Sequence, residues 1–257
     1  MSTKTITSRD NPLLARLRKL AADGTAYRKF GEVWIEGEHL CSAFIQHGGA
    51  VPQAVISESG WQQTALRQLA SAAGEVAVVP DALMAGLSTL ESPAPVCFAV
   101  PWAGAGTLDV DSPSVVLDRL QDAGNVGNIL RSAAAFGFTQ IIAIKGTAAL
   151  WSPKVLRAGM GAHFHLECFA GVDLGGFTAT FPGRLIATQL KARQSVFDTD
   201  LTGLIGLIFG NEGAGLSQTL LGKVASVVAI PMPGQTESLN IAAAAAVCLF
   251  ERVRQLG

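Results

Sequence analysis

Three polar segments carry the residue types that could do chemistry here, and each follows an apolar run directly. The first is Gln121-Asp-Ala-Gly-Asn-Val-Gly-Asn-Ile-Leu-Arg131. Asn125 is placed to cap a helix whose first N–H groups stay free, with Ile129, Leu130, Ala133 and Ala134 on its core face. Asn128 and Arg131, three residues apart, share the opposite face. A helix N-terminus followed by an arginine suits an anion, although a capped helix with a surface arginine uses the same residues. The second segment, Phe209-Gly-Asn-Glu-Gly-Ala-Gly-Leu216, sets three glycines after a strand. Either a tight turn or close approach of a ligand to the backbone calls for that. Its spacing is not the dinucleotide fingerprint and no phosphate-loop lysine follows, which argues against a nucleotide-dependent dehydrogenase. The third, Ile230-Pro-Met-Pro-Gly-Gln-Thr-Glu-Ser-Leu-Asn-Ile241, concentrates polar groups before an alanine-rich helix, with Ser238 as an ordinary N-cap candidate.

The elements that must position these segments are legible as apolar runs. Strands are expected at 114–117, 140–144, 184–188, 204–209 and 227–230. Their near-continuous aliphatic character implies a parallel sheet covered on both faces, where ligands bind beyond the carboxyl ends of the strands. A final helix from Leu239 to about Arg254 places Leu239, Ala243, Ala246, Val247, Phe250 and Val253 on one face. Upstream, Asn11-Pro12 starts a helix with Leu13, Leu17 and Leu20 on one stripe. Strands follow at 33–36, 54–56, 76–79 and 96–100, with helices at 39–46 and 61–73 and a short helix capped by Asp81. The chain therefore divides into a small α/β domain over 1–101, a small-residue linker over 102–113, and a larger parallel-sheet domain over 114–257.

With 49% hydrophobic and 15% charged residues, the chain can bury sizeable cores, which excludes wholesale disorder. No apolar run is long enough for a bilayer span, and the first residues lack a secretory signal. Cys41, Cys97, Cys168 and Cys248 are scattered without paired spacing, so they read as buried thiols of a reducing, cytoplasmic compartment. His163 and His165 read as surface or packing residues, and no metal site is expected. The net charge of −1 conceals an uneven distribution. Residues 1–30 hold seven bases against Asp10 and Asp23, whereas residues 31–112 hold only Arg67 against nine acids. A polyanion would approach the N-terminal segment, although a solvated basic helix face has the same composition.

The three segments resemble, in order, the signature motifs of the SpoU/TrmH branch of the SPOUT methyltransferases: Asn125-x-Gly127-Asn128-x-x-Arg131, then Gly210-Asn211-Glu212-Gly213-x-Gly215-Leu216, then Ile230-Pro-Met-x-Gly-x-x-Glu-Ser238-Leu239-Asn240. The patterns Ile6-x-Ser-x-x-Asn11-Pro, Trp34-Ile-Glu-Gly-Glu-His-Leu40 and Leu90-Glu-Ser-Pro resemble that family's RNA-binding domain. The resemblance implies a parallel-sheet domain with a C-terminal trefoil knot, homodimers with active sites at the subunit interface, and methyl transfer from S-adenosylmethionine to a ribose 2′-hydroxyl of rRNA or, second, tRNA. It implies catalytic roles for Arg131, Asn125, Glu212, Ser238 and Asn240. It implies cofactor contacts from Thr188, Gly210, Asn211, Gly213, Ile230, Met232 and Leu239. Phosphate contacts are expected from Arg9, Arg16, Arg18, Lys19, Arg28 and Lys29. The alternative is an RNA-binding or ribosome-assembly protein of the same fold without catalysis, which would not bind S-adenosylmethionine.

Overall fold

A computed structural model describes the chain apart from residues 1, 89–91, 212, 214 and 217, and apart from the side chains of 174 and 219. The elements run β1 (Ser2–Thr5), α1 (Pro12–Ala22), α2 (Ala26–Phe30), β2 (Glu32–Glu36), α3 (Glu38–Gln46), β3 (Gln53–Ser57), α4 (Glu58–Gln62), α5 (Thr64–Ala70), β4 (Glu75–Val79), α6 (Asp81–Ala85) and β5 (Val96–Pro101). There follow β6 (Ser114–Asp118), α7 (Ala123–Ala135), β7 (Gln140–Ile144), α8 (Pro153–Gly159), β8 (Glu167–Val172), α9 (Leu174–Thr180), β9 (Arg184–Thr188), β10 (Gln194–Ser195), β11 (Ile205–Gly210), α10 (Gln218–Leu221), β12 (Ser226–Ala229) and α11 (Ile241–Leu256). They form two compact units, one of residues 1–104 with 151–164, the other of 105–150 with 165–257. Residues 151–164, which the sequence reading kept with the second domain, thus pack within the first unit.

The first unit is a mixed five-stranded sheet in the order β1-β4-β3-β5-β2. β1, β4 and β3 run parallel, and β5 is antiparallel to both β3 and β2. Asn11 caps α1 through its Oδ1, which accepts the Leu13 N–H at 2.9 Å, and Pro12 opens the helix. The buried stripe is Leu14, Leu17, Leu20 and Ala21, one position on from the expected Leu13, so the helix turns its Leu14 side to the core with Trp34 and Val55. The single helix expected over 61–73 is two. Ser57 Oγ accepts the Gly60 N–H at 3.0 Å and starts α4 early, and Gln63 then adopts an extended backbone (φ −84°, ψ 118°) that separates α4 from α5. Asp81 is the first residue of α6, preceded by Pro80 as cap. β1 was not foreseen, because its side chains are all exposed and polar and only its backbone pairing with β4 makes it a strand.

The second unit is a seven-stranded, all-parallel sheet in the order β10-β12-β9-β11-β6-β7-β8. β6, β7 and β11 are buried along their whole length, as strands covered on both faces must be. Burying each of their Ile and Leu side chains contributes about 1.5–3 kcal/mol. All five strands read from sequence are present; β8 and β10 were missed, β8 because its run ends in exposed residues and β10 because it spans two residues. β9 and β10 follow one another in the chain yet flank the slot that β12 fills.

The C-terminal helix α11 packs on α7 and is tied down at its end: Gln255 accepts the Leu201 N–H at 2.8 Å and donates to Thr199 O at 3.0 Å. It starts at Ile241, not Leu239, and buries Ala242, Ala245, Cys248 and Leu249. Part of the apolar face read from the sequence is exposed. Phe250 is 54% exposed, Leu239 40% and Val253 37%. Phe250 keeps an edge-on contact with Phe136 of α7, ring centroids 5.8 Å apart. All four cysteines are free and buried, and burial pushes the Cys168 and Cys248 thiols up to about 12. No helix among the described residues is long and apolar enough to cross a membrane.

Candidate active site

Because every strand of the second sheet is parallel, the turns after β6, β11 and β12 emerge at one edge. These are the three polar segments singled out by sequence. In the first, Asp122 and not Asn125 caps α7; its Oδ1 accepts the Asn125 N–H at 2.7 Å. The helix begins three residues earlier than expected, which places the Asn125 side chain on the first turn. There it meets the third segment: Asn240 Nδ2 donates to Asn125 Oδ1 at 2.9 Å. The same Asn240 is the N-cap of α11, its Oδ1 accepting the Ala242 and Ala243 N–H groups at 2.9 and 3.4 Å. Ser238, the expected cap, lies exposed two residues outside the helix, because Asn240 carries the extended backbone (φ −55°, ψ 139°) that a cap requires.

Arg131 is exposed one turn beyond Asn128 on α7. With Asn128, Phe136, Asn240, Ala243 and Ala246 it lines a groove of about 450 Å³ between α7 and α11. Among the described residues it makes no ion pair or hydrogen bond, so its guanidinium can meet an anion without first breaking a bond. The third segment is similarly open. Among the described residues, the backbone groups of 231–239 make no hydrogen bonds within the chain, leaving a run of donors and acceptors at the strand ends. Ile230 and Met232 are half-buried, and Leu239 is exposed.

The second segment folds tightly against the end of β11. Asn211 and Gly215 exchange backbone hydrogen bonds of 3.2 and 2.8 Å, and the Asn211 Oδ1 accepts the Gly213 N–H at 3.0 Å. Gly215 sits at φ +65°, which favours glycine, and a Cβ on Gly210 would stand 2.9 Å from the Gly215 carbonyl carbon, so Gly210 leaves no room for a side chain. Asn211 Nδ2 donates to Arg119 O at 2.9 Å, linking the second segment to the first. Thr188 Oγ1 donates to Ile208 O at 3.2 Å, so its hydroxyl secures β9 to β11 beside this loop. Glu212 lies outside the described residues.

Sequence reasoning missed Arg119 and Asp118, which join these loops. Asp118 ends β6 with a buried carboxylate that accepts from Arg119 Nε at 2.9 Å and Nη2 at 3.3 Å. That hydrogen-bonded carboxylate raises the Arg119 pKa further above its usual value. The available signal was an acid–base pair at a strand's carboxyl end.

The expected RNA contacts lie in and around α1 and α2 of the first unit. Arg9, Lys19, Arg28 and Lys29 are exposed. Arg16 is held by Glu32 through two contacts of 2.6 and 2.7 Å, and Arg18 donates to Arg9 O. Arg28 lies over the Tyr27 ring and Lys29 over Phe30. His163 is buried against Trp151, with ring centroids 5.2 Å apart. Among the described residues no group of three or more His, Cys, Asp or Glu could hold a metal ion.

Comparison with known proteins agrees with this geometry. The chain is 33% identical to an uncharacterised tRNA/rRNA methyltransferase of Synechocystis sp., over 97% of this chain and 93% of that one. It is 31% identical to a 23S rRNA (uridine(2479)-2′-O)-methyltransferase of Streptomyces viridochromogenes, over 99% of this chain and 93% of the relative. The structure of the SpoU methyltransferase AviRb of Streptomyces viridochromogenes in complex with AdoMet superposes with a TM-score of 0.86 at 28% identity, covering 96% of this chain and 98% of that one. The sequence profile described as the SpoU rRNA Methylase family matches residues 112–250, which span the seven-stranded sheet and all three polar turns. On these matches, the chain belongs to the SpoU rRNA methylase family.

Proposed function

We propose that this protein transfers a methyl group from S-adenosylmethionine to a ribose 2′-hydroxyl of RNA, with ribosomal RNA as the first substrate to test and transfer RNA the second. The observation that carries the proposal is the Asn125–Asn240 hydrogen bond, which joins the first and third turns beside the groove that Arg131 lines. When bound, S-adenosylmethionine supplies a sulfonium methyl to an oxygen nucleophile. The open backbone of 231–239, the loop at Gly210–Gly215, and the apolar Ile230, Met232 and Leu239 offer polar and apolar contacts that fit it. A guanidinium has five N–H donors and no acceptor, so the part of Arg131 is to bind an RNA phosphate and stabilise negative charge growing on the 2′-oxygen. Asn125, Asn240, Ser238 and Glu212 orient the ribose and the guanidinium.

The exposed stripe of Leu239, Phe250 and Val253 is the surface we assign to a second copy of the chain, since the family resemblance implies homodimers. The trefoil knot belongs to the same reading, and the late insertion of β12 between β9 and β10 supports it. Four buried thiols suit a reducing, cytoplasmic setting.

The test is incubation with methyl-labelled S-adenosylmethionine and unmodified ribosomal or transfer RNA, followed by nucleoside analysis. Label in a 2′-O-methylnucleoside is expected. Label in a base, or in neither RNA, would overturn the assignment. Equilibrium dialysis adds a separate readout: failure to bind S-adenosylmethionine would favour the non-catalytic RNA-binding alternative.

A further inference from the structure

We propose that Arg119 is a positioning residue that clamps the Asn211–Gly215 loop to the end of β6 and so holds the cofactor side of the site in shape. The proposal rests on the methyltransferase reading given above. Arg119 has φ +61°, a conformation that residues with side chains rarely adopt. Glycine would meet that backbone demand with no side chain at all, so a long cation there calls for another reason.

Its contacts supply one. The backbone N–H donates to Thr147 Oγ1 at 3.1 Å, and that hydroxyl donates to Leu117 O at 3.0 Å. The Arg119 carbonyl accepts from Asn211 Nδ2 at 2.9 Å. The guanidinium bridges the buried Asp118 carboxylate and Gly215 O, the latter at 3.3 Å. One residue therefore grips both ends of the five-residue loop: Asn211 through its main chain, Gly215 through its side chain. Within the loop, the described residues Asn211, Gly213 and Gly215 are also joined by internal bonds. The guanidinium is itself directed by a carboxylate that burial fixes in place, so the clamp is aimed before any ligand arrives.

The test uses the full chain with Arg119→Gly and Arg119→Asn, both of which accept a positive φ, and Arg119→Lys, which keeps charge but not the planar fork. Loss of a charge-assisted contact that orders the loop is expected to raise the S-adenosylmethionine dissociation constant and KM about tenfold in the Gly and Asn variants, with kcat changed less than about twofold. Lysine is expected to restore part of the affinity. Hydrogen exchange of 210–216 in the ligand-free protein should quicken in the Gly and Asn variants, while their thermal midpoints stay at the wild-type value. Unchanged exchange would overturn the clamp, as would a kcat defect at unchanged affinity or a shared collapse of thermal stability. If the wild type itself fails to bind S-adenosylmethionine, the methyltransferase reading falls, and ligand-free exchange still decides the clamp.

Discussion

A guanidinium at neutral pH can offer only positive charge and a planar fork of N–H donors, which limits what Arg131 can do. Its exposure and its lack of partners among the described residues suit a group that acts on a ligand. Arg131→Ala is expected to lower kcat by about 10²–10³, the loss typical of removing a donor from a developing oxyanion, with the thermal midpoint unchanged. Wild-type turnover in that variant would remove Arg131 from the mechanism. Asn240 has two roles that substitutions can separate. Asn240→Ala removes the cap of α11 and should cost about 1 kcal/mol of stability as well as activity. Asn240→Asp keeps the capping oxygen but lacks the amide that donates to Asn125. It is therefore expected to unfold like the wild type while losing activity; equal activity would show that the link between the turns is dispensable. Arg131 stood out in the sequence because its motif spacing is local. The exchange of cap roles from Asn125 to Asp122 and from Ser238 to Asn240 did not, because neighbouring Asx and Ser residues can all cap and backbone angles decide among them.

Elements impose their own costs, and β2 shows one. Its last residue, Glu36, is buried, and burial raises its pKa above the ordinary 4.5, with Ser88 and Arg157 opposing the shift. The nearest guanidinium nitrogen of Arg157 stands 3.6 Å away. A folded carboxyl that holds its proton more tightly than the unfolded one stabilises the fold most at low pH. That contribution is fully present below about 4.5 and is lost as pH rises through the folded value. Glu36→Gln is thus expected to raise the thermal midpoint at neutral pH and to flatten the decline above pH 4.5. A less stable variant at neutral pH would mean that the Arg157 contact outweighs desolvation. Strand positions in both sheets were readable because buried runs are continuous, whereas β1 was not, since backbone pairing with β4 makes a strand of four exposed residues.

For the whole molecule, the net charge of −1 means that RNA affinity must come from a local patch. Binding measured against salt should give a log–log slope of about −0.7 to −0.9 per neutralised phosphate. Arg28→Ala with Lys29→Ala should make it shallower, whereas Arg16→Ala should matter less because Glu32 already engages Arg16. An unchanged slope in the Arg28/Lys29 double variant would move the RNA path elsewhere. The open stripe of α11 leads to a second expectation. On the dimer proposed above, Phe250→Glu should yield a monomer by sedimentation, and a dimer that survives would place the interface on another face. Periodicity located that apolar stripe without saying what covers it.

From residue order alone one could obtain two α/β regions, the buried strands of a parallel sheet, the three polar turns and their family, since each depends on composition and spacing within a short stretch. Which side of α11 meets α7, how Arg119 spans two turns 92 residues apart from Asn211, and where residues 151–164 pack depended on the assembled chain. The reason is physical: contacts between distant segments are set by the competition of many side chains for the same buried space, and no local pattern encodes the winner.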